Sequence, residues 1–262
     1  MTLLASTKER TNLIDSVLDN STRFWTALEV EMHFSNEKTH YISGIPHPLF
    51  NGVLRTQLQM NIVSKRIEEA IAQFQRRGLP FSWWVCEKSR PQNLVHHLEN
   101  HGFVFSGSFP ALVWNDEGEP QQLERPDNLS IIPVSDMEMM RQWAEVFSQV
   151  FDLPKEIASD YSALFVRGTP KPFRHFIAFI DDEPVATATL FFQPRLASIY
   201  NIAVVPKFRH QGVAAALAHH LICHARRVHC SSVMLQAASN HIERFMMMGF
   251  RRVCDFQIYY HD

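Results

Sequence analysis

Apolar and polar positions switch between helix-like and strand-like spacing along the first half of this 262-residue chain. Four apolar residues recur at i, i+3, i+4 and i+7, namely Ile67, Ala70, Ile71 and Phe74. This spacing predicts an amphipathic helix over residues 62–76. Alternating runs predict strands over 25–33, in two short pieces of 41–54 and over 81–86, and a second helix over 92–101. Helices and strands interleave, which indicates a mixed α/β fold.

The second half repeats the order of helix, strand and short helix. Helices are predicted over 137–151, 154–166 and 240–248 and in the alanine-rich stretch after Gly212; strands are predicted over 176–180, 185–192, 199–205 and 233–237. Each half also carries a Gly-Phe pair after its last helix, at Gly102-Phe103 and at Gly249-Phe250. We interpret the chain as a tandem duplication of one fold.

Residues 115–128 separate the two halves and are rich in Pro, Gly and charged residues with almost no apolar content. Such composition is typical of an interdomain linker. We therefore predict a first domain over 1–115, a linker over 116–128 and a second domain over 129–262.

The composition changes this picture little but excludes several classes of function. The net charge is −2 with 46% hydrophobic residues, which argues against a surface for nucleic acid or anionic membrane. The four cysteines show no paired spacing, and no apolar run is long enough for a signal peptide or a membrane span. The expectation is a cytoplasmic protein with reduced thiols.

The candidate chemistry lies in the segment Val204–Ala214, where an apolar strand meets Pro206, a short basic turn, Gly212 and then a helix. The first backbone N–H groups of a helix lack internal partners and carry the positive end of the helix dipole. Gly212 allows close approach of an anion, and Arg209 adds a permanent positive charge. The segment therefore predicts a cradle for the phosphates of a cofactor.

The pattern Arg209-x-x-Gly212-x-Ala214 resembles the acetyl-CoA loop of the GNAT superfamily of N-acetyltransferases, and the strands and helices around it follow the order of that family. The resemblance implies an α/β fold of mixed α+β layers: two tandem GNAT-type acyl-CoA N-acyltransferase domains, each with a central, mostly antiparallel sheet flanked by helices. Residues 56–61 of the first half contain no glycine, so the N-terminal copy is expected to be degenerate and not to bind CoA.

The same resemblance implies a set of site residues. The backbone N–H of Val204 would stabilise the oxyanion, and Ile202 would pair with the pantetheine arm. The residues expected to bind the cofactor are Ile202, Ala203, Val204, Arg209, His210, Gln211, Gly212, Val213, Ala214, Asn240 and Phe245. Where the family usually has a proton-donating tyrosine, this chain has Phe245. Tyr200, Tyr259, Tyr260, water or unassisted departure of the thiolate remain as alternatives.

Two further groups of side chains were weighed. Four aromatic residues of the predicted helices between linker and cofactor site would line the acceptor groove or form core, and helical spacing favours core: Trp143, Phe147, Phe151 and Tyr161. His219, His220, Cys223, His224, His229 and Cys230 form a cluster on and just after the predicted cofactor helix, and His220 and His224 at i, i+4 could share a metal ion. No His-x-Glu or Cys-x-x-Cys motif accompanies them, so a packed or solvated helix face is favoured over a metal site.

The expected function is transfer of an acetyl group from acetyl-CoA to a primary amine of a small molecule or protein, without a metal. The alternative is a catalytically weak acetyl-CoA-binding module whose N-terminal domain binds a protein partner. A third alternative is the transfer of a longer acyl group.

Overall fold

The computed structural model describes residues 7–116, 118–168, 170–238 and 242–262, and within them the chain forms two compact units. The first unit contains the described residues up to Ala111 together with Val253–Asp262, and the second is Leu112–Arg252. The predicted second domain began at residue 129 and ran to the C-terminal end of the sequence. The second unit instead starts earlier, at Leu112, and it ends at Arg252 because the last ten residues pack with the first unit.

The helices and strands of the described residues are as follows. The helices are α1 (Thr7–Ala27), α2 (Val63–Gln75), α3 (Leu94–Asn100), α4 (Met137–Phe151), α5 (Lys155–Val166), α6 (Val213–Arg227) and α7 (Ile242–Met247). The strands are β1 (Glu31–Phe34), β2 (Thr39–Ile42), β3 (Asn51–Leu54), β4 (Phe81–Val85), β5 (Val104–Asn115), β6 (Leu129–Pro133), β7 (Phe173–Ile180), β8 (Glu183–Gln193), β9 (Leu196–Val204), β10 (Ser232–Gln236) and β11 (Arg251–His261). Among these helices, none has an apolar stretch long enough to cross a bilayer.

The first unit is built on a sheet with strand order β1-β2-β3-β4-β11-β5. Its strands β1, β2 and β3 pair in antiparallel fashion, and β3 and β4 are parallel because α2 connects them. The buried apolar face of α2 packs on this sheet through Val63, Ile67, Ala70 and Phe74. The helix predicted over 62–76 is confirmed.

Helix α1 replaces the strand predicted over 25–33, and that prediction is wrong for its first part. Buried residues recur through α1 and just past its end at helical spacing: Ile14, Val17, Leu18, Ser21, Phe24, Trp25 and Leu28. Thr22 and the neighbouring aromatic residues favour a strand locally, but burial of this long apolar stripe decides the outcome.

The second unit is built on a sheet with strand order β5-β10-β9-β8-β7-β6, to which β5 contributes its last residues. Strands β6 to β9 are antiparallel, and β10 runs parallel to β9 because α6 connects them. Successive residues of β8 face opposite sides: Ala186, Ala188 and Leu190 share a core with α6, while Thr187 and Thr189 lie on the side of α4 and α5. Helix α6 and the pair α4–α5 therefore cover opposite faces of the sheet.

The segment expected to be a free linker packs along α6. At its start, the carboxylate of Asp116 lies 3.1 Å from Nε of Arg226, and that of Glu119 lies 2.6 Å from Nη1 of the same guanidinium. Leu123 packs against the core of the second unit. Further on, the backbone carbonyl of Glu124 lies against Cα of Gly212, at the other end of α6. We call residues 118–128 the linker segment below.

Candidate functional site

Strands β9 and β10 are paired along only part of their length. The parallel register begins at Ser232 and Leu196 and runs to Leu235 and Ile199. Strand β9 continues to Val204, beyond the end of this register with β10 in the described residues. Because unpaired strand edges offer hydrogen-bonding groups to an extended ligand, the end of β9 is a candidate binding edge.

The direction of individual amides along this edge follows from the hydrogen bonds on the other side of β9. The amide of Val205 donates to the carbonyl of Val185 at 2.9 Å, so Val205 faces β8. By alternation, Val204 and Ile202 turn their backbone groups toward the open edge. Ala203, by contrast, turns its N–H and C=O toward β8. The open edge therefore presents two of the three β9 residues expected to bind the cofactor.

The turn after β9 brings the start of α6 to the same place. A single 3₁₀ turn, Pro206–Phe208, is anchored by the buried ring of Phe208. His210 and Gly212 follow with positive φ angles of 65° and 88°, and α6 begins at Val213. The amide of Ala216 bonds to the carbonyl of Gly212, so the amides of the three preceding residues have no acceptor inside the helix.

Side chains bind the carbonyl oxygens of this turn. Arg209 Nε donates to the carbonyl of Val204 at 3.0 Å, and Gln211 Nε2 donates to that of Lys207 at 3.0 Å. Arg244 of α7 donates to the carbonyl of His210 at 3.3 Å. Two of the three donors are cations, so the turn offers amides and positive charge while its negative carbonyl ends are neutralised. This arrangement fits the phosphates of a nucleotide cofactor.

The structure gives Gly212 a second reason to be glycine. A Cβ atom at this position would overlap the carbonyl oxygen of Glu124, which belongs to the linker segment. With a φ of 88°, residue 212 is also in a region that side chains disfavour. Glycine is therefore required both by the backbone of the turn and by the chain that crosses it.

The remaining predicted site residues lie as follows. Val213 is buried in the core and contributes to the turn only through its backbone, whereas Ala214 is half-buried. Tyr200 is half-buried on β9, with its ring 6.4 Å from that of Phe191. Phe245 packs in the core of the second unit against Phe250. Asn240 lies outside the described residues.

A buried polar chain beside the open edge was missed from the sequence. The hydroxyl of Tyr161 donates to Asn201 Oδ1 at 3.1 Å, and Asn201 Nδ2 donates to Thr189 Oγ1 at 3.3 Å. Thr189 Oγ1 in turn lies 2.9 Å from Nδ1 of His175. Burial lowers the pKa of His175 to about 4, so this histidine is neutral at pH 7. The one sequence signal was a polar Asn201 inside an apolar strand.

The aromatic residues of α4 and α5 divide as the spacing favoured. Trp143, Phe147 and Tyr161 are buried, with Trp143 stacked on Phe147 at 5.1 Å, whereas Phe151 is 39% exposed. Three of these four side chains are core.

Three of the four His and Cys residues of α6 face the linker segment, whereas the ring of His224 lies 5.4 Å from that of Phe176. His219, His220 and Cys223 line a cavity of about 180 Å³ together with Gln122, Arg125, Ala216 and Arg227. Burial, followed by the neighbouring positive groups, lowers the pKa of His220. In the part of the chain that the structure describes, no three His, Cys, Asp or Glu residues are grouped to hold a metal ion.

Comparison with known proteins identifies the second unit. Residues 137–250 match the model of the Acetyltransferase (GNAT) family. Among curated proteins, none matches the sequence.

Solved structures extend the similarity of fold to nearly the whole chain. A GCN5-related N-acetyltransferase from Kribbella flavida superposes with a TM-score of 0.69 at 13% identity, covering 93% of this chain and 94% of that one. One from Sphaerobacter thermophilus gives 0.65 at 13%, covering 93% and 84%. A tandem GNAT protein from the clavulanic acid biosynthesis pathway gives 0.58 at 12%, covering 86% and 78%.

Proposed function

Residues 137–250 form a domain of the GNAT acetyltransferase family, and we propose that this domain transfers an acetyl group from acetyl-CoA to a primary amine of a small molecule or a protein. The observation that carries the proposal is the open edge of β9 beyond Ile199, next to the start of α6. Acetyl-CoA has an extended pantetheine arm that can pair with a strand edge and a pyrophosphate that can bind at a helix start. Its binding therefore needs the open edge and the start of α6 side by side.

In this proposal, backbone groups hold the cosubstrate. The first amides of α6, with Arg209, would bind the pyrophosphate, and Ile202 would pair with the pantetheine arm along the open edge. Acetyl-CoA supplies a thioester carbonyl that the neutral amine attacks within a ternary complex. The amide of Val204 would donate to the oxygen on which negative charge develops. A fixed donor of this kind contributes roughly 10²- to 10³-fold to the rate.

Departure of the thiolate takes place without help from residue 245 in this mechanism. The ring of Phe245 is buried and has no proton to give. A free thiol titrates near ~8.5, so its thiolate is a competent leaving group at neutral pH. Tyr200, which is half-buried on β9, is the candidate for a proton donor.

Phe245 also favours the second candidate, a catalytically weak acetyl-CoA-binding module whose first unit binds a protein partner. The two candidates make the same prediction for cofactor binding and opposite predictions for turnover. Both assign the cofactor to the second unit.

The test combines titration calorimetry with acetyl-CoA and a thiol-release assay over a panel of primary amines. Saturable binding with thiol release is expected, and both should be lost in Gly212→Glu. The matched control is Gly78→Glu, where a side chain meets open space at another positive-φ glycine. Binding without turnover on any amine, with acetylated proteins also lacking, would establish the binding module. No binding would overturn both candidates.

A further inference from the structure

Strand β9 contains an irregularity near its end, at Asn201 and Ile202. Thr189 of β8 is opposite Tyr200, and Thr187 is opposite Ala203. Two residues of β9, Asn201 and Ile202, therefore face the single residue between the threonines. This is a β-bulge, and Asn201 within it has a φ of 54°.

The bulge decides which amides reach the open edge. On β8, alternation from Val185 gives Thr187 and Thr189 the same direction toward β9, so Tyr200 also faces β8. Without the extra residue, even-numbered positions of β9 would continue to face β8. The amide of Val204 would then donate a hydrogen bond to β8 within the sheet. The insertion shifts this parity by one, which turns Val204 outward.

Asn201 is held in place from three sides. Its Oδ1 accepts from the hydroxyl of Tyr161, its Nδ2 donates to Thr189, and its carbonyl accepts from the hydroxyl of Thr187 at 3.1 Å. Both threonines are fully buried and Tyr161 is 2% exposed. Asparagine also tolerates the left-handed backbone better than most residues. Side chain and backbone thus favour the same irregular conformation.

His175 joins this chain too far away to act on the reacting atoms. It lies one strand beyond Thr189, and strands are about 4.8 Å apart with about 3.3 Å per residue along each strand. Val204 is then about 14 Å from His175 on this spacing. Its effect on the site therefore passes through Thr189 and Asn201.

We propose that Asn201, clamped between Tyr161 and Thr189, is the positioning residue that fixes the bulge and so presents the Val204 amide to the substrate. This inference rests on the proposed function. It assigns a role to three polar side chains that do not touch the phosphate cradle.

The kinetic test uses the full chain and four variants. Asn201→Ala loses both side-chain hydrogen bonds and the tolerance of positive φ, Asn201→Gly keeps only that tolerance, and Tyr161→Phe loses one hydroxyl. Ser162→Ala, which removes a buried hydroxyl of α5 that donates to the carbonyl of Ser159 and lies outside the clamp, is the comparison for loss of a hydroxyl near Tyr161. We expect kcat to fall about 30-fold or more in Asn201→Ala, with partial recovery in Asn201→Gly and a smaller loss in Tyr161→Phe. Affinity for CoA should fall by a smaller factor than kcat, because the phosphate contacts at the start of α6 remain while the pairing of Ile202 with the pantetheine arm is lost.

Amide hydrogen exchange of ¹⁵N-labelled protein tests the bulge without turnover. In the wild type, the Val205 amide should be protected and the Val204 amide should exchange quickly. In Asn201→Ala, protection should move to Val204. A protected Val204 amide in the wild type, or an unchanged pattern in the variant, would overturn the inference even if the protein proves not to be an enzyme. A wild type that turns over with kcat unchanged in both Asn201→Ala and Tyr161→Phe would overturn it as well, while leaving the proposed function standing.

Discussion

The two units share an order of elements and differ where the second has its site. In the first unit, β2 and β3 keep one register from Thr39–Leu54 to Ile42–Asn51, with no bulge. In the second unit, the matching pair β8–β9 is interrupted at Asn201. In the regular pair β2–β3 the direction of the backbone amides alternates without a shift. In β8–β9 the bulge shifts this alternation, so that the amide of Val204 points to the open edge. In the proposed mechanism, a single extra residue in β9 is therefore the difference between a regular strand pair and one that exposes an amide to the substrate.

The chain after the corresponding strand differs as well. In the first unit, the segment that leads to α2 is closed by backbone pairing: Leu58 donates to the carbonyl of Arg90 at 3.0 Å, and Arg90 donates to that of Thr56 at 2.9 Å. The second unit has the glycine turn there, and the end of β9 has no described partner in β10. The same topology thus carries a filled edge in one unit and an open edge in the other.

The largest expected effect comes from adding one methyl group at the two helix-associated glycines. Gly212→Ala forces a Cβ into the Glu124 carbonyl at a φ of 88°, so we expect a loss of about 3 kcal/mol or more in the free energy of unfolding, together with loss of acetyl-CoA binding. Gly78→Ala in the first unit has a φ of 64° and open space, and should cost about 1 kcal/mol without affecting binding. Urea unfolding and calorimetry measure both. Equal costs at the two positions would contradict the difference in their surroundings.

An intermediate effect on the free energy of unfolding is expected when the pH is lowered, and it should be similar in the two units. Burial lowers the pKa of His40 in the first unit and of His175 in the second to about 4. Both histidines are neutral in the folded protein, whereas the unfolded chain takes up their protons below its ordinary pKa near 6.5. Stability should therefore be full above pH 6.5 and fall as the pH drops toward 4, by about 2 kcal/mol per histidine between pH 7 and 5.

Urea unfolding across this pH range measures the slope. His40→Gln and His175→Gln should each reduce the acid-side loss by about 2 kcal/mol between pH 7 and 5. If either variant keeps the full slope, its histidine is not the group responsible.

The smallest effect is expected from surface ion pairs. Arg226→Gln removes the contacts to Asp116 and Glu119 that hold the approach to the linker segment, and Arg66→Gln in the first unit removes those to Glu37 and Glu69. Exposed pairs contribute little and are screened by salt. Both variants should lower the unfolding midpoint slightly at low ionic strength and not at 1 M NaCl. A large, salt-independent loss for Arg226→Gln would mean that this arginine stabilises the segment by packing.

Local patterns in the sequence predicted much of the fold because they depend on spacing within one element. Helix α4 has the predicted bounds, Met137–Phe151, and the strand–turn–helix around Gly212 is present. Strands β5, β6 and β11 were missed. For β11 the reason is that it becomes a strand through pairing with β4, more than 150 residues away in sequence. The Asn201 bulge is likewise a property of two strands in register and has no single-strand signature.

The chain that enters the second unit behaves as part of that unit's architecture. Leu112 and Trp114 lie in its core, Leu123 covers it, and the Glu124 carbonyl rests on Gly212. A fragment that began at the predicted domain start, Leu129, would lack the residues that cover α6. It would therefore expose apolar surface that is buried in the intact protein. Sequence composition marks residues 116–128 as a linker, whereas residues 118–128 pack against α6 and the core of the second unit.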